Sequence, residues 1–314
     1  MPTRRFHAPI AALAALTAAL TAALTGCTTQ PRPVLDESPD ASVSVEFGPE
    51  AGAPVRLGAR NTLAVEVNGE TVPRVLFDTG AGGFVIRPSH ASRLGLPRTG
   101  TVTVSSVGAQ RKMPTVWVEA LSVGGMTVRH TEAVELDTDF VGLIGLSRAG
   151  GLIGATIMDH AVVELDLEAS TIALHDPASY ALPTGASWVR STRVPMGLAV
   201  GGEFERGSGL MLIDSGAEMS VQVSGDAVER LGLTEHYDGD LGRIGVMDRV
   251  YRTLRTELEF IEVAGQRVEA VDADLVLEAE HELPGCIALL GRDFLKRFTI
   301  VIDAPGERVA FIPK

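Results

Sequence analysis

Val75-Leu76-Phe77-Asp78-Thr79-Gly80-Ala81 returns later in the chain as Met211-Leu212-Ile213-Asp214-Ser215-Gly216-Ala217. Other pairs follow in the same order. Leu94-Gly95-Leu96 matches Leu231-Gly232-Leu233, and Val107-Gly108 matches Ile244-Gly245. Leu152-Ile153-Gly154 matches Leu289-Leu290-Gly291, and Asp166 matches Asp303. The offset holds at about 136 to 137 residues throughout, far longer than the period of a solenoid. Ordered matches at a nearly constant spacing identify a duplicated unit.

Each copy has the pattern of a β domain. Leu63 to Val67 alternates apolar and polar residues and is followed by Asn68-Gly69, a strong hairpin signal. Val75 to Phe77 is a continuous apolar run, as in a strand buried on both faces. Ser89–Leu94 and Asp226–Leu231 are expected to form one short helix per copy, each closed by glycine. Strands on either side of Gly108 predict a projecting hairpin there. Gly124-Gly125 and Ala264-Gly265 mark the next turns, and Val162–Leu174 and Thr299–Ile312 predict a closing hairpin in each copy. The expected fold is all-β, with two lobes related by a pseudo-two-fold axis.

The repeated acid carries the chemistry. A carboxylate placed after three apolar residues is costly when unpaired, so such groups find partners or shift their pKa. Gly80 and Gly216 let the chain turn and bring backbone N–H groups towards the acid, while Thr79 and Ser215 supply hydroxyls to fix the loop. A two-fold axis would bring Asp78 opposite Asp214. Two adjacent carboxylates share one proton and titrate as a pair. The ionised member can take a proton from water, and the protonated member can donate one to a substrate carbonyl. That pairing hydrolyses an amide with neither a metal nor a cofactor, so none is expected.

The two acid motifs, each followed after about 76 residues by apolar-apolar-Gly, resemble the retropepsin and pepsin families of aspartic peptidases. The run Leu290-Gly291-Arg292-Asp293-Phe294-Leu295, followed by Ile302-Asp303, resembles bacterial retropepsin-like domains closely. The resemblance covers about residues 56 to 314. It implies two β-barrel lobes of the acid protease fold and Asp78 and Asp214 as the catalytic pair. It also implies that Thr79 and Ser215 cross-link the two loops, that Gly80 and Gly216 are the loop glycines, and that Gly154 and Gly291 pack behind the loops in a psi-shaped crossing. Gly145 is the alternative to Gly154. The implied partner is a peptide or protein substrate. The sequence departs from the pattern in three places. The tyrosine of the pepsin flap has no clear counterpart near Gly108, and the serine that often follows the catalytic Gly-Ala or Gly-Ser is Gly82 in one copy and Glu218 in the other. An inward-facing Glu218 would raise the pKa of its neighbours.

The first residues have the pattern of an address. Arg4-Arg5 precede an uncharged, Ala- and Leu-rich run from Ala8 to about Leu24. A charged start, a short apolar middle and small residues at its end describe a secretory signal. Leu24-Thr25-Gly26-Cys27 resembles the lipobox of bacterial lipoproteins, which implies acylation at Cys27 and a lipid anchor in the cell envelope. Thr28 after the cysteine leans towards the outer membrane, facing the periplasm. The expected organisation is a signal over 1–26, a flexible tether over 27–55, one lobe over 56–178, a linker over 179–187 and a second lobe over 188–314.

Composition excludes other classes. The net charge is −13, and no Lys/Arg cluster is present to neutralise phosphates, so nucleic acid is not an expected partner. No His-x-His or His-Glu-x-x-His spacing occurs, so no metal site is expected, and no Gly-x-Ser-x-Gly elbow occurs. With the axis inside one chain, a monomer is expected. Two other readings remain open at this point: a peptide-binding envelope lipoprotein that kept the lobes without turnover, and a purely structural lipoprotein.

Overall fold

A computed structural model describes residues 42–106, 109–136, 149–246 and 249–314. The signal, Cys27, Gly108 and Gly145 lie outside the described residues. Each copy of the repeat builds a closed ring of six strands. In the first, the ring runs Thr62–Val67, Glu70–Phe77, Gly151–Ile153, Phe84–Ile86, Met126–Glu135 and Ala109–Val123, which pairs back to Thr62–Val67. In the second it runs Gly197–Phe204, Gly207–Ile213, Ala288–Leu290, Val221–Val223, Gln266–Val276 and Arg249–Val263, which pairs back to Gly197–Phe204. The molecule is all-β and two-lobed.

Turn chemistry sets the hairpin registers. Asn68 and Gly69 both take positive φ (53° and 82°), as do Gly124 and Gly125 (54° and 76°) and Ala264 and Gly265 (53° and 73°). Such paired left-handed residues make the tight turn whose twist matches the strands. The hairpin that begins at Arg98 pairs from Arg98 with Val116 to Ser106 with Ala109. Its counterpart pairs from Asp240 with Arg255 to Val246 with Arg249.

The two closing hairpins do more than end their lobes. Val162–Asp166 pairs antiparallel with Phe298–Asp303, so a six-stranded layer runs Val189–Val194, Arg308–Pro313, Phe298–Asp303, Val162–Asp166, Thr171–His175, Val55–Arg56 across both halves. In that register Glu164 faces Val301, its own counterpart in the repeat, while Asp166 faces Thr299 and Val162 faces Asp303. A strand that meets its equivalent this way puts a two-fold axis through the Glu164–Val301 pair. Val163, Leu165, Ile300 and Ile302 are buried there and join one core with both lobes. Tyr180, Leu182 and Trp188, from the segment that links the lobes, pack on Val162, Val301 and Ala310.

The structure corrects three expectations. The tether expected up to residue 55 is shorter, because Ser44–Phe47 pairs with Met126–Arg129 and Val55–Arg56 pairs with Thr171–Ile172. Val45 and Phe47 alternate onto the core, a pattern too brief to stand out beside the Pro- and Ser-rich residues before it. One helix per lobe was expected, at Ser89–Leu94 and Asp226–Leu231; the structure has Pro88–Arg93 and Gly225–Arg230, each shifted back by one residue. It also has a second single-turn helix per lobe, Ala155–Met158 and Arg292–Leu295. Four residues cannot display a helical period, and these turns form because the carbonyls of Gly154 and Gly291 accept from Met158 and Leu295.

Ile302 is fully buried where the lobes share a core. Ile302→Ala is expected to cost about 2–5 kcal/mol. Urea denaturation followed by near- and far-UV circular dichroism should show both lobes losing stability together; one lobe unfolding alone at the parent midpoint would contradict a shared core.

Candidate active site

Each acid sits at the end of a strand threaded beside a second strand. Phe77 runs parallel to Ile153 and Asp78 N donates to Ile153 O (2.9 Å); Ile213 runs parallel to Leu290 and Asp214 N donates to Leu290 O (3.0 Å). After the acid the chain turns and comes back on the other side of that same second strand, as Phe84–Ile86 and as Val221–Val223. This is the psi crossing, and it needs Gly154 and Gly291. A Cβ on Gly154 would lie 2.3 Å from Asp78 O and 2.4 Å from Ala81 O. A Cβ on Gly291 would lie 2.2 Å from Met219 O.

The loops then lock to each other across the axis. Thr79 N donates to Ser215 Oγ (3.1 Å) and Ser215 N donates to Thr79 Oγ1 (2.9 Å). Thr79 Oγ1 in turn donates to Ile213 O (2.8 Å), and Ser215 Oγ to Phe77 O (3.4 Å). All four residues are buried, so each bond satisfies a group that water cannot reach. The structure therefore brings Asp78, Thr79, Gly80, Asp214, Ser215 and Gly216 together, with Gly154 and Gly291 behind them.

Both carboxyl groups are wholly buried. Asp78 Oδ1 accepts from Gly80 N (2.8 Å), and Asp214 Oδ1 from Gly216 N (2.9 Å) and Ala217 N (3.1 Å). The Oδ2 atom of each meets no donor outside the pair among the described residues, and a proton on one carboxyl group bonds it to the other. Gly216 lies so close that a Cβ there would be 2.5 Å from Asp78 Oδ2, so only glycine fits. Burial pushes Asp78 well above the usual carboxylate range, and the nearby charge of Asp214 pushes it further. Burial also raises Asp214, but Asp78 and the amides of Gly216 and Ala217 oppose the rise. The pair thus favours a state with one proton and one charge shared between the two carboxyl groups. Such a state can accept a proton and donate one in the same encounter.

Hydrophobic packing ties each long hairpin to an acid loop. Val104 packs in one cluster with Ala81 and Leu152, and Ile244 and Tyr251 pack in another with Ala217 and Leu289. Glu218 does not face the pair as a bare charge. Its Oε1 lies 3.1 Å from Arg60 Nε and 3.5 Å from Arg292 Nη2. Asn61 beside Arg60 donates from Nδ2 to Ser215 O (2.8 Å) across the lobes. Sequence reasoning missed Arg60 and Asn61, since their role depends on partners more than 150 residues away and their counterparts by the repeat are unlike them. Asp166 and Asp303 are turn acids. Asp166 accepts from Ala169 N (2.7 Å), and Asp303 from Gly306 N (3.0 Å) and Arg308 Nε (2.6 Å). Cys286 is buried, which pushes its thiol up to about 12 and keeps it unreactive.

Thr79→Val removes the hydroxyl that serves both Ile213 O and Ser215 N. An unpaired buried group costs about 1–3 kcal/mol, so stranding two should cost about 2–6 kcal/mol in chemical denaturation, while Thr79→Ser should stay close to the parent. A second outcome concerns pH. Because the folded pKa values of Asp78 and Asp214 are raised above the ordinary 3.8, the folded state holds protons that the unfolded state has lost. Stability therefore falls as pH rises from about 4 through the raised values, by up to about 1.4 kcal/mol per unit and group. The melting temperature of Asp78→Asn should overtake that of the parent as pH rises from about 4 to 7; parallel curves would contradict a proton held by the pair.

No curated protein matches the chain. Residues 63–157, which take in Asp78, Thr79, Gly80 and Gly154, match the family described as aspartyl protease. Over that stretch, which builds the first lobe and its acid loop, the chain is similar in sequence to the aspartyl proteases.

Proposed function

We propose that the protein is an aspartic endopeptidase in which Asp78 and Asp214 act together on a water molecule. The observation that carries this reading is the buried pair itself: two carboxyl groups on locked loops, in a site that favours a single shared proton. The match of residues 63–157 to the aspartyl protease family supports it.

In this reading a peptide lies extended beside the two long hairpins, held by main-chain hydrogen bonds as an added strand is. Ionised Asp214 takes a proton from the water as its oxygen attacks the carbonyl carbon. Asp78 gives its proton to the carbonyl oxygen, producing a neutral tetrahedral diol. Asp214 then gives its proton to the amide nitrogen while Asp78 takes one from a hydroxyl of the diol; the C–N bond breaks to leave an acid and an amine, and the pair again holds one proton. Thr79, Ser215, Gly80 and Gly216 hold the carboxylates in place. We place the enzyme in the bacterial cell envelope as a monomer, anchored through lipid on Cys27. The support for that placement is the apolar run ending in Leu24-Thr25-Gly26-Cys27.

Asp78→Asn and Asp214→Asn should each reduce cleavage of an unfolded protein substrate at least about 1000-fold while the chain stays folded, since either change removes one half of the proton relay. The measurement is the rate of new amine release, with circular dichroism as the folding control. Cleavage at the parent rate by either folded variant would sink the proposal.

A further inference from the structure

The backbone of the two halves runs alike around the acids, so the side chains at the two ends can be compared position by position. Ala155 N donates to Ala81 O (2.8 Å), and at the other end Arg292 N donates to Ala217 O (2.7 Å). Gly197 crosses from the second half towards Thr79, where a Cβ would lie 3.1 Å from the carbonyl oxygen. Arg60-Asn61 crosses the other way, and Asn61 reaches the equivalent carbonyl, that of Ser215. Gly82 follows the first acid loop where Glu218 follows the second.

The backbone is therefore two-fold, and the side chains are not. At one end stand Gly82, Ala155 and Gly197, which carry at most a methyl group. At the equivalent places of the other end stand Glu218, Arg292 and Arg60, two guanidinium groups on one carboxylate oxygen. All six positions are partly exposed. We propose that this broken symmetry makes the site read a peptide by size at one end and by polarity at the other, and so fixes the direction in which the peptide lies. This rests on the reading of the acid pair as a peptide site.

The physical case is direct. Gly82, Ala155 and Gly197 put no more than a methyl group beside the first loop, so a large apolar residue there strips water from no charge, and its burial is favourable. The same residue at the other end would strip water from three charged groups without replacing its hydrogen bonds, which is unfavourable. A polar or charged residue can replace them. A peptide with a large apolar residue on one side of the scissile bond and a polar one at the matching distance on the other would thus bind in one direction only.

The test is a cleavage profile on a mixed peptide library. The parent should select large apolar residues on one side of the cut and polar residues on the other. No positive φ bars a side chain at Gly82, and Gly82→Leu should lose about tenfold or more in kcat/KM for large apolar residues, on that side alone; if it does not fold, Ala155→Leu serves in its place. Glu218→Gln should weaken the polar preference on the opposite side alone; if it does not fold, Arg60→Gln serves in its place. A profile equal on both sides, or substitutions that change both sides alike, would overturn the inference. If the parent cuts nothing, the same library with reduced, uncleavable bonds is passed over the immobilised chain. Directional enrichment then upholds this inference while removing the peptidase reading, and symmetric or absent retention overturns it.

Discussion

The structure depends on keeping two carboxyl groups together where neither is welcome. Out of water each favours its neutral form, and next to each other they resist carrying two charges. Left to themselves the acid loops would splay apart or flood. The reciprocal bonds between Thr79 and Ser215 prevent this, because each hydroxyl serves the backbone of the opposite loop and neither loop can withdraw without stranding buried polar groups. The glycines follow from the same demand. Gly216 lets the backbone of one loop lie against the carboxyl of the other, and Gly154 and Gly291 let a strand pass behind them. The strain of placing acid in the core is thus confined to a few residues, and two ordinary barrels carry it.

Much of this was legible from residues alone, for reasons that can be named. The repeated Asp78 and Asp214 motifs need almost identical local chemistry, so they look alike 136 positions apart. Asn68-Gly69 announces its hairpin because few other pairs tolerate two left-handed residues in succession. What escaped notice depends on distance. Arg60 and Asn61 matter because Glu218 and Ser215 fold up against them from the other half, and nothing in their neighbours records that. The helices after Gly154 and Gly291 are single turns fixed by the psi crossing rather than by any periodic pattern. Ser44–Phe47 was hidden for a similar reason: an edge strand of four residues owes its existence to the strand already waiting beside it.

The acid pair also explains why Glu218 can sit so near without spoiling the site. Two arginines neutralise it, one of them contributed by the opposite lobe. A charge introduced beside a buried dyad is tolerable when it arrives with its own counter-ions. The same cluster ties the second acid loop to the first lobe, next to the Asn61 bond, so electrostatic compensation and inter-lobe cohesion come from the same residues.

The strand pairing at the base of the molecule has a consequence for how such a chain can change. Glu164 stands opposite Val301, its own image in the repeat, which is how a residue on the dyad of a symmetric dimer must stand opposite itself. In a dimer of identical halves a glutamate there would meet a second glutamate, and every substitution would be made twice. Joining the halves in one polypeptide removes that obligation. Each copy can then drift separately, and a chain built on a symmetric frame can come to carry unlike side chains at its two ends.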